Sequence, residues 1–192
     1  MSETTQTLGR RERKKAATRQ ALADAALALF LQHGYDQVSI KDVAEAADVS
    51  TTTVFKHFPG KEALVFDEDT EHEAMLVAVV RERPAGQSVL TALREHVLYT
   101  RLKTSDNPAY TAFRQLIAET PALRDYGHRM WMRHETALAR AITEDAGLPA
   151  GDPSAAALAH FALESAALAS TRDDSHAAVA AAFDLLEHGW RA

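Results

Sequence analysis

Apolar residues recur three or four positions apart along most of the chain, as in Leu22, Ala26, Leu29 and Phe30, and again in Val179, Phe183, Leu186 and Trp190. That spacing marks one face of an α-helix. Alternating, strand-like runs are missing. Glycine and proline interrupt the pattern at Gly34, Pro59-Gly60, Pro84 to Gly86, Pro108, Pro121, Gly147 to Pro153 and Gly189, and the stretches between them read as about nine helices in an all-α fold. The first helix is predicted from Lys14 to His33, stopped by Gly34, which can take the left-handed conformation that ends a helix. A fourth is predicted from Lys61 to Arg83, anchored by Leu64, Val65, Met75, Val79 and Val80. Helices five to seven fall between Ser88 and Glu144. Asp152-Pro153, a cap followed by proline at the first helical position, starts the eighth, and the last runs from Ser175 to Trp190.

Two short segments carry stronger start signals. Val38-Ser39-Ile40-Lys41-Asp42-Val43 places a serine at the N-cap, an acidic residue three positions later, and valines on either side as a hydrophobic staple. Eleven residues on, Val49-Ser50-Thr51-Thr52-Thr53-Val54 repeats the cap and the staple. Asp48 occupies the turn between them, and aspartate is among the few residues other than glycine that tolerate a positive φ. Two short helices across a tight turn, behind a longer one, match the layout of a helix-turn-helix unit. In such a unit the start of the second helix meets base edges in the major groove. Here that start is Ser50, Thr51, Thr52 and Thr53. A threonine hydroxyl can donate or accept a hydrogen bond, and its methyl can pack on the thymine methyl.

A net charge of −6 argues against a polyanionic partner when taken alone, but the charge is unevenly distributed. It is +2 up to Lys61 and −8 beyond it, so a weakly basic head precedes an acidic body. Arg10, Arg11, Arg13, Lys14 and Lys15 form a cluster able to grip phosphate. Phe55-Lys56-His57-Phe58-Pro59-Gly60-Lys61 adds cations and an imidazole directly after the threonines.

Gly34-Tyr35 ends the first helix, Val43-Ala44 lies in the second, Phe55-Lys56-His57-Phe58 closes the third, and Lys61-Glu62-Ala63-Leu64 opens the fourth. With these residues in this order, the chain from about Arg11 to Phe66 resembles the DNA-binding domain of the TetR family of regulators. The resemblance implies that Ser39 and Lys41 touch the DNA backbone or flanking bases. It puts Thr51, Thr52 and Thr53 on the base-reading surface, with Phe55, His57 and Lys61 on a phosphate-facing rim beside Lys56. Many members carry tyrosine where Phe55 stands, so a phenol-to-phosphate bond is lost here. The expected organisation is a tail over 1–9, a helix-turn-helix domain over 10–60 and a ligand-binding and dimerisation domain over 61–192.

In the body, Asp67-Glu68-Asp69-Thr70-Glu71-His72-Glu73 reads as a solvated acidic face rather than a metal site, since no second histidine stands at a ligand spacing. Met130, His134, Ala137 and Ala141 share a face, which points His134 inward. By family analogy the effector pocket lies among helices five to seven, with His96, Tyr110, Phe113, Trp131 and His134 as candidate lining residues. The family likewise implies that the last two helices pair with a second copy, through Leu158, Phe161, Ser165, Leu168, Val179, Phe183, Leu186 and Trp190.

Cysteine is absent, which removes disulfides, cysteine-ligated zinc and cysteine nucleophiles. No apolar run of about 18 residues appears, and Met1 to Thr7 lacks the apolar stretch of a signal peptide, so a cytoplasmic protein is expected. Neither His-Glu-x-x-His, Gly-x-Ser-x-Gly, a P-loop nor a dinucleotide fingerprint is present, which disfavours an enzyme. A nucleoid protein binding without sequence preference is a further alternative. The expected function is a sequence-specific regulator that acts as a homodimer on a palindromic double-stranded DNA operator. It is read as a repressor released by a small-molecule effector, with an activator of the same fold as the alternative, and neither cofactor nor metal is called for.

Overall fold

The computed structural model describes residues 9–104, 107–169 and 174–190. The helices are α1 (Arg10–His33), α2 (Ile40–Ala46), α3 (Thr51–His57), α4 (Asp69–Arg81), α5 (Val89–Thr104), α6 (Pro108–Glu119), α7 (Pro121–Asp145), α8 (Pro153–Ala169) and α9 (Ser175–His188), with a single 3-10 turn at Glu62–Leu64. No strand occurs among the described residues. α1 begins four residues earlier than expected. Glu12 Oε2 accepts from the Gly9 N–H at 3.0 Å, so the basic cluster Arg10 to Lys15 lies on exposed helix. Of the expected tail, residues 1–8 lie outside the described residues, and Gly9 caps α1.

The chain packs as two units. The first comprises residues up to Asp67 together with Ala112–Tyr126, and the second Glu68–Thr111 with Gly127–Ala192. Whereas sequence suggested a division after residue 60, the first unit's core takes in Ala63, Leu64 and Val65 alongside Leu22, Ala26, Phe30, Val43, Val54 and Phe58, and it recruits Leu116 and Leu123. Phe66 closes this core, stacked on Tyr126 with ring centroids 5.3 Å apart and edge-on to Phe113 at 6.4 Å.

These contacts explain why the expected fourth helix is not continuous. After the 3-10 turn the chain is pinned at Val65 and Phe66, and helix resumes only at Asp69. Leu64 and Val65 accordingly anchor the first unit instead of α4. Within α4 the inward residues are Leu76 and Val80, 8% and 0% exposed, while Met75 is 52% exposed and turned outward.

The second unit is a bundle in which α5 packs on α4, α8 and α9, and α8 on α9. Its core joins Leu76 and Val80 to Leu93, Val97, Leu138, Ile142, Leu163, Val179 and Phe183, with alanines at 141, 155, 159 and 162 allowing close helix approach. The acidic stretch is not uniformly solvated. Asp69 accepts from the buried His134 Nε2 at 2.7 Å on one oxygen and from Arg133 on the other. At the far end of the same two helices Arg81 pairs with Glu144 at 2.6 Å. Arg83 beyond them grips Asp145 with both guanidinium nitrogens at 2.6 and 2.7 Å. Since 69 meets 133 and 134 while 81 meets 144, α4 runs parallel to the second half of α7 and is tied to it at both its ends.

Proline at the first helical position recurs in α6, α7 and α8, preceded by Asn107, Thr120 and Asp152. Its fixed φ suits a helix start, and the missing N–H has no partner there to lose.

Candidate nucleic-acid interface

Local capping builds the two short helices. The Ser39 N–H donates to Asp42 Oδ2 at 2.7 Å, and the Asp42 N–H returns a bond to Ser39 Oγ at 3.2 Å, a reciprocal box that starts α2. The Ser39 N–H, and then the Ser39 hydroxyl donating to the same Oδ2 at 2.7 Å, hold the Asp42 carboxyl below its usual range. Val38 and Val43 are buried beside it. α2 ends in the turn at Asp48, whose φ of 53° makes it the one non-glycine residue with positive φ among those described. Ser50 then caps α3, its Oγ accepting from the Thr53 N–H at 3.2 Å and lying 2.9 Å from Thr53 Oγ1.

The seven residues of α3 divide cleanly by burial. Val54 is buried, as is Phe58 just beyond the helix; Thr53 and His57 are half-buried, and Thr51, Thr52, Phe55 and Lys56 are exposed. Phe55, at 59% exposure, presents most of its ring. Positions three and four apart on a helix share a face, so Thr51, Thr52, Phe55 and Lys56 form one outward surface. Thr53 stands apart from it, since its hydroxyl is engaged by Ser50. Lys41 is outward on α2, in a loose pair with Glu45 at 3.5 Å, and Ser39 is exposed beside it.

Two residues of the expected rim point inward. The Lys61 ammonium donates to the Tyr35 carbonyl and lies 4.0 Å from the centroid of the Tyr35 ring, and burial pushes its pKa down. Lys61 thus fastens the segment after α3 to the Gly34-Tyr35 corner, where Gly34 has a φ of 84°. His57 is half-buried, and its Nδ1 has no partner among the described residues. Burial first, then the charges of Lys15 and Arg19, pushes its pKa below the ordinary histidine value.

Arg19, which no sequence motif singled out, holds the end of α3. Its guanidinium donates to the carbonyls of His57 and Asp67, both at 2.7 Å, and lies 4.3 Å over the Phe58 ring. A signal did exist: Arg19 stands one helical turn from Leu22 and Ala23, at the edge of the α1 core face. Replacing Arg19 with alanine is expected to destabilise the first unit by about 2–3 kcal/mol, the usual value of charged hydrogen bonds left unmade. Arg19→Lys should recover little, because one ammonium cannot reproduce the planar fork. Chemical denaturation of the three proteins measures this, and a lysine variant as stable as the parent would remove the fork from the account.

The residues proposed for an effector pocket are dispersed. Phe113 packs in the first unit's core. In the second unit Trp131 packs against the core, His134 is 3% exposed and already bonded to Asp69, and Tyr110 is half-buried. His96 lines an open groove between α4 and α5 with Val79, Pro84 and Tyr99, and burial lowers its pKa. Asp184, Glu187 and His188 bring ligand-type atoms within 4.8 Å of one another on the exposed end of α9, a grouping common on solvated helices.

The residues expected at an interface between copies also divide. Val179 and Phe183 are 0% and 1% exposed, and Ser165, at 4%, donates its hydroxyl to the Ala162 carbonyl at 2.7 Å. All three are buried within the subunit, where Val179 and Phe183 of α9 join a core shared with α5 and α8. Leu158 and Leu186 pack partly against the same core. The outward apolar residues are Phe161 at 53%, Leu168 at 55%, Leu185 at 45% and Trp190 at 83%. Trp190 lies past the end of α9, which stops at His188 before Gly189.

Comparison with known proteins agrees with this architecture. The family model described as bacterial regulatory proteins, tetR family, matches residues 22–67. The chain is 31% identical over 151 residues to the HTH-type transcriptional regulator TcmR of Streptomyces glaucescens, covering 75% of this chain and 67% of that protein. It is 28% identical over 121 residues to the transcriptional regulator RutR of Escherichia coli, covering 62% and 57% respectively. Among solved structures it is similar to NalD of Pseudomonas aeruginosa, described as the secondary repressor of the MexAB-OprM multidrug efflux pump. The TM-score is 0.61 at 17% identity, with 91% of this chain and 97% of that one covered. The all-helical fold, the capped helix pair across Asp48 and the extended identity to TcmR together establish that the chain belongs to the TetR family and is a DNA-binding transcriptional regulator, not an enzyme.

Proposed function

We propose that the protein is a homodimeric repressor that binds a palindromic operator through α3 and leaves it when a small molecule binds the second unit. The observation that carries this reading is the outward surface of α3, where Thr51, Thr52, Phe55 and Lys56 are exposed on a helix fixed by Ser50, Arg19 and the Asp48 turn. Ser39 and Lys41, at the start of α2, flank it and grip the backbone, while Lys61 fastens the segment after α3 to the Tyr35 carbonyl. A short recognition helix specifies few bases, so two copies reading half-sites one DNA turn apart supply the rest.

The repressor assignment draws on the name of the NalD relative. For the effector, the groove of about 310 Å³ that includes His96 is of the size small-molecule sites begin at. Release requires only that the effector bind better to an arrangement of the two heads that does not fit successive major grooves. No helix among the described residues is long and apolar enough to cross a membrane, and as a regulator acting on DNA the protein works in the cytoplasm.

Footprinting on the DNA upstream of its own gene tests the reading. Two protected half-sites with centres about 10 base pairs apart, or a multiple of that, are expected, with protection lost on adding the effector. Uniform coverage without a preferred site would sink the regulator reading in favour of non-specific binding.

A further inference from the structure

We propose that Thr51, Thr52 and Phe55 read the C5 methyl groups of thymine, so that each operator half-site presents thymine to the start of α3; this rests on the DNA-binding reading above. Direct readout of guanine or adenine uses arginine, lysine, asparagine or glutamine. Between Val49 and Phe58 the chain has only Lys56 of these, and no carboxylate. What α3 turns outward is two threonines, a phenyl ring that is 59% exposed, and Lys56.

The third threonine does not add a polar reader, because its hydroxyl lies 2.9 Å from Ser50 Oγ and its N–H is capped by the same oxygen. Beside the hydroxyls of Thr51 and Thr52 the surface offers the groove methyl and aromatic carbon, and the apolar feature that a major groove displays is the thymine methyl. Lys56, in the last turn, and Lys41, on α2, are exposed beside the patch. They supply the positive charge that brings an apolar surface against a polyanion. The burial pattern makes the same point energetically: a phenyl ring left this open gains from being covered, and a row of methyl groups covers it without leaving a polar group unpaired.

The test uses the full chain. Preferred duplexes are first selected from a random pool, and each thymine of the selected site is then replaced by deoxyuridine, which keeps every hydrogen-bonding edge and removes only the methyl. Binding should weaken about fourfold at a contacted position, the value of one buried methyl-sized group. Changing the symmetric position in the second half-site as well should bring the loss to about fifteenfold. The Thr51→Ser or Thr52→Ser variant, which keeps the hydroxyl, should lose the difference between thymine and uracil at its own position. Selected half-sites that face α3 with guanine, or whose thymines all accept deoxyuridine with no measurable loss, would overturn the thymine proposal while leaving the DNA-binding reading intact. A pool in which no sequence is enriched would overturn the DNA reading itself, and this proposal with it.

Discussion

Replacing Phe183 with alanine is expected to lower the unfolding free energy by about 3–5 kcal/mol, the range for emptying an aromatic site in a packed core. Phe183 is 1% exposed and is the bulkiest fully buried side chain of the second unit. Its surroundings limit relaxation. Ala155, Ala159 and Ala162 are among the residues of that core, and an alanine side chain has no rotamer that swings into a void. The cavity should therefore persist, and with it the term for lost contacts that adds to the transfer free energy. The midpoint of chemical denaturation gives the result directly. A loss below about 1 kcal/mol would mean that Phe183 is not the keystone described here, and would reopen the possibility that this face of α9 meets a second copy.

That experiment also separates what the sequence could reveal from what it could not. The start of α2 was readable because Ser39 and Asp42 are three residues apart and satisfy each other. The turn was readable because Asp48 is one of the few side chains that accept its φ of 53°. Such features are settled by neighbours along the chain.

The break before α4 was not readable, since it depends on Phe66 stacking on Tyr126, sixty positions away. Arg19 escaped notice for the same reason, its partners lying 38 and 48 residues distant. On α9, periodicity correctly placed Val179, Phe183 and Leu186 on one face. Periodicity says which residues share a face, however, and not whether that face meets its own subunit or another. On alanine-rich helices both sides are apolar enough for either role, and only packing decides. Met75 and Leu76 illustrate the finer version of this limit, adjacent apolar residues of which one is exposed and the other buried.

The outward surface of α3 was legible for a different reason. α3 is short and its start is locally capped, so the exposed set Thr51, Thr52, Phe55 and Lys56 follows from helical spacing once Val54 and Phe58 are assigned to the core. Lys61 is the exception. Its place after α3 suggested a phosphate contact, whereas its ammonium is occupied by the Tyr35 carbonyl and ring. Any hold it takes on DNA has to be exchanged for those contacts.

If the outward residues of α8 and α9 pair two copies, the double variant Phe161→Asp with Leu168→Asp should be a folded monomer. The two positions are seven residues apart on α8, almost in line on a helix with 3.6 residues per turn. At 53% and 55% exposure their carboxylates remain hydrated in the isolated subunit, so the variant should unfold within a few degrees of the parent, in contrast to the collapse expected at Phe183. In a dimer the same four carboxylates would face one another across a dry surface, where like charges without partners are strongly disfavoured.

Light scattering should then give the mass of one chain. Operator affinity should fall by about a hundredfold or more, because the second half-site is no longer held at a high effective concentration. Leu185→Asp should act in the same direction if α9 shares the interface. A double variant that still scatters as a dimer and binds DNA as the parent does would move the contact between copies away from this face of α8. Loss of the dimer with no change in operator affinity would separate assembly from DNA reading, and would leave each head binding its half-site alone.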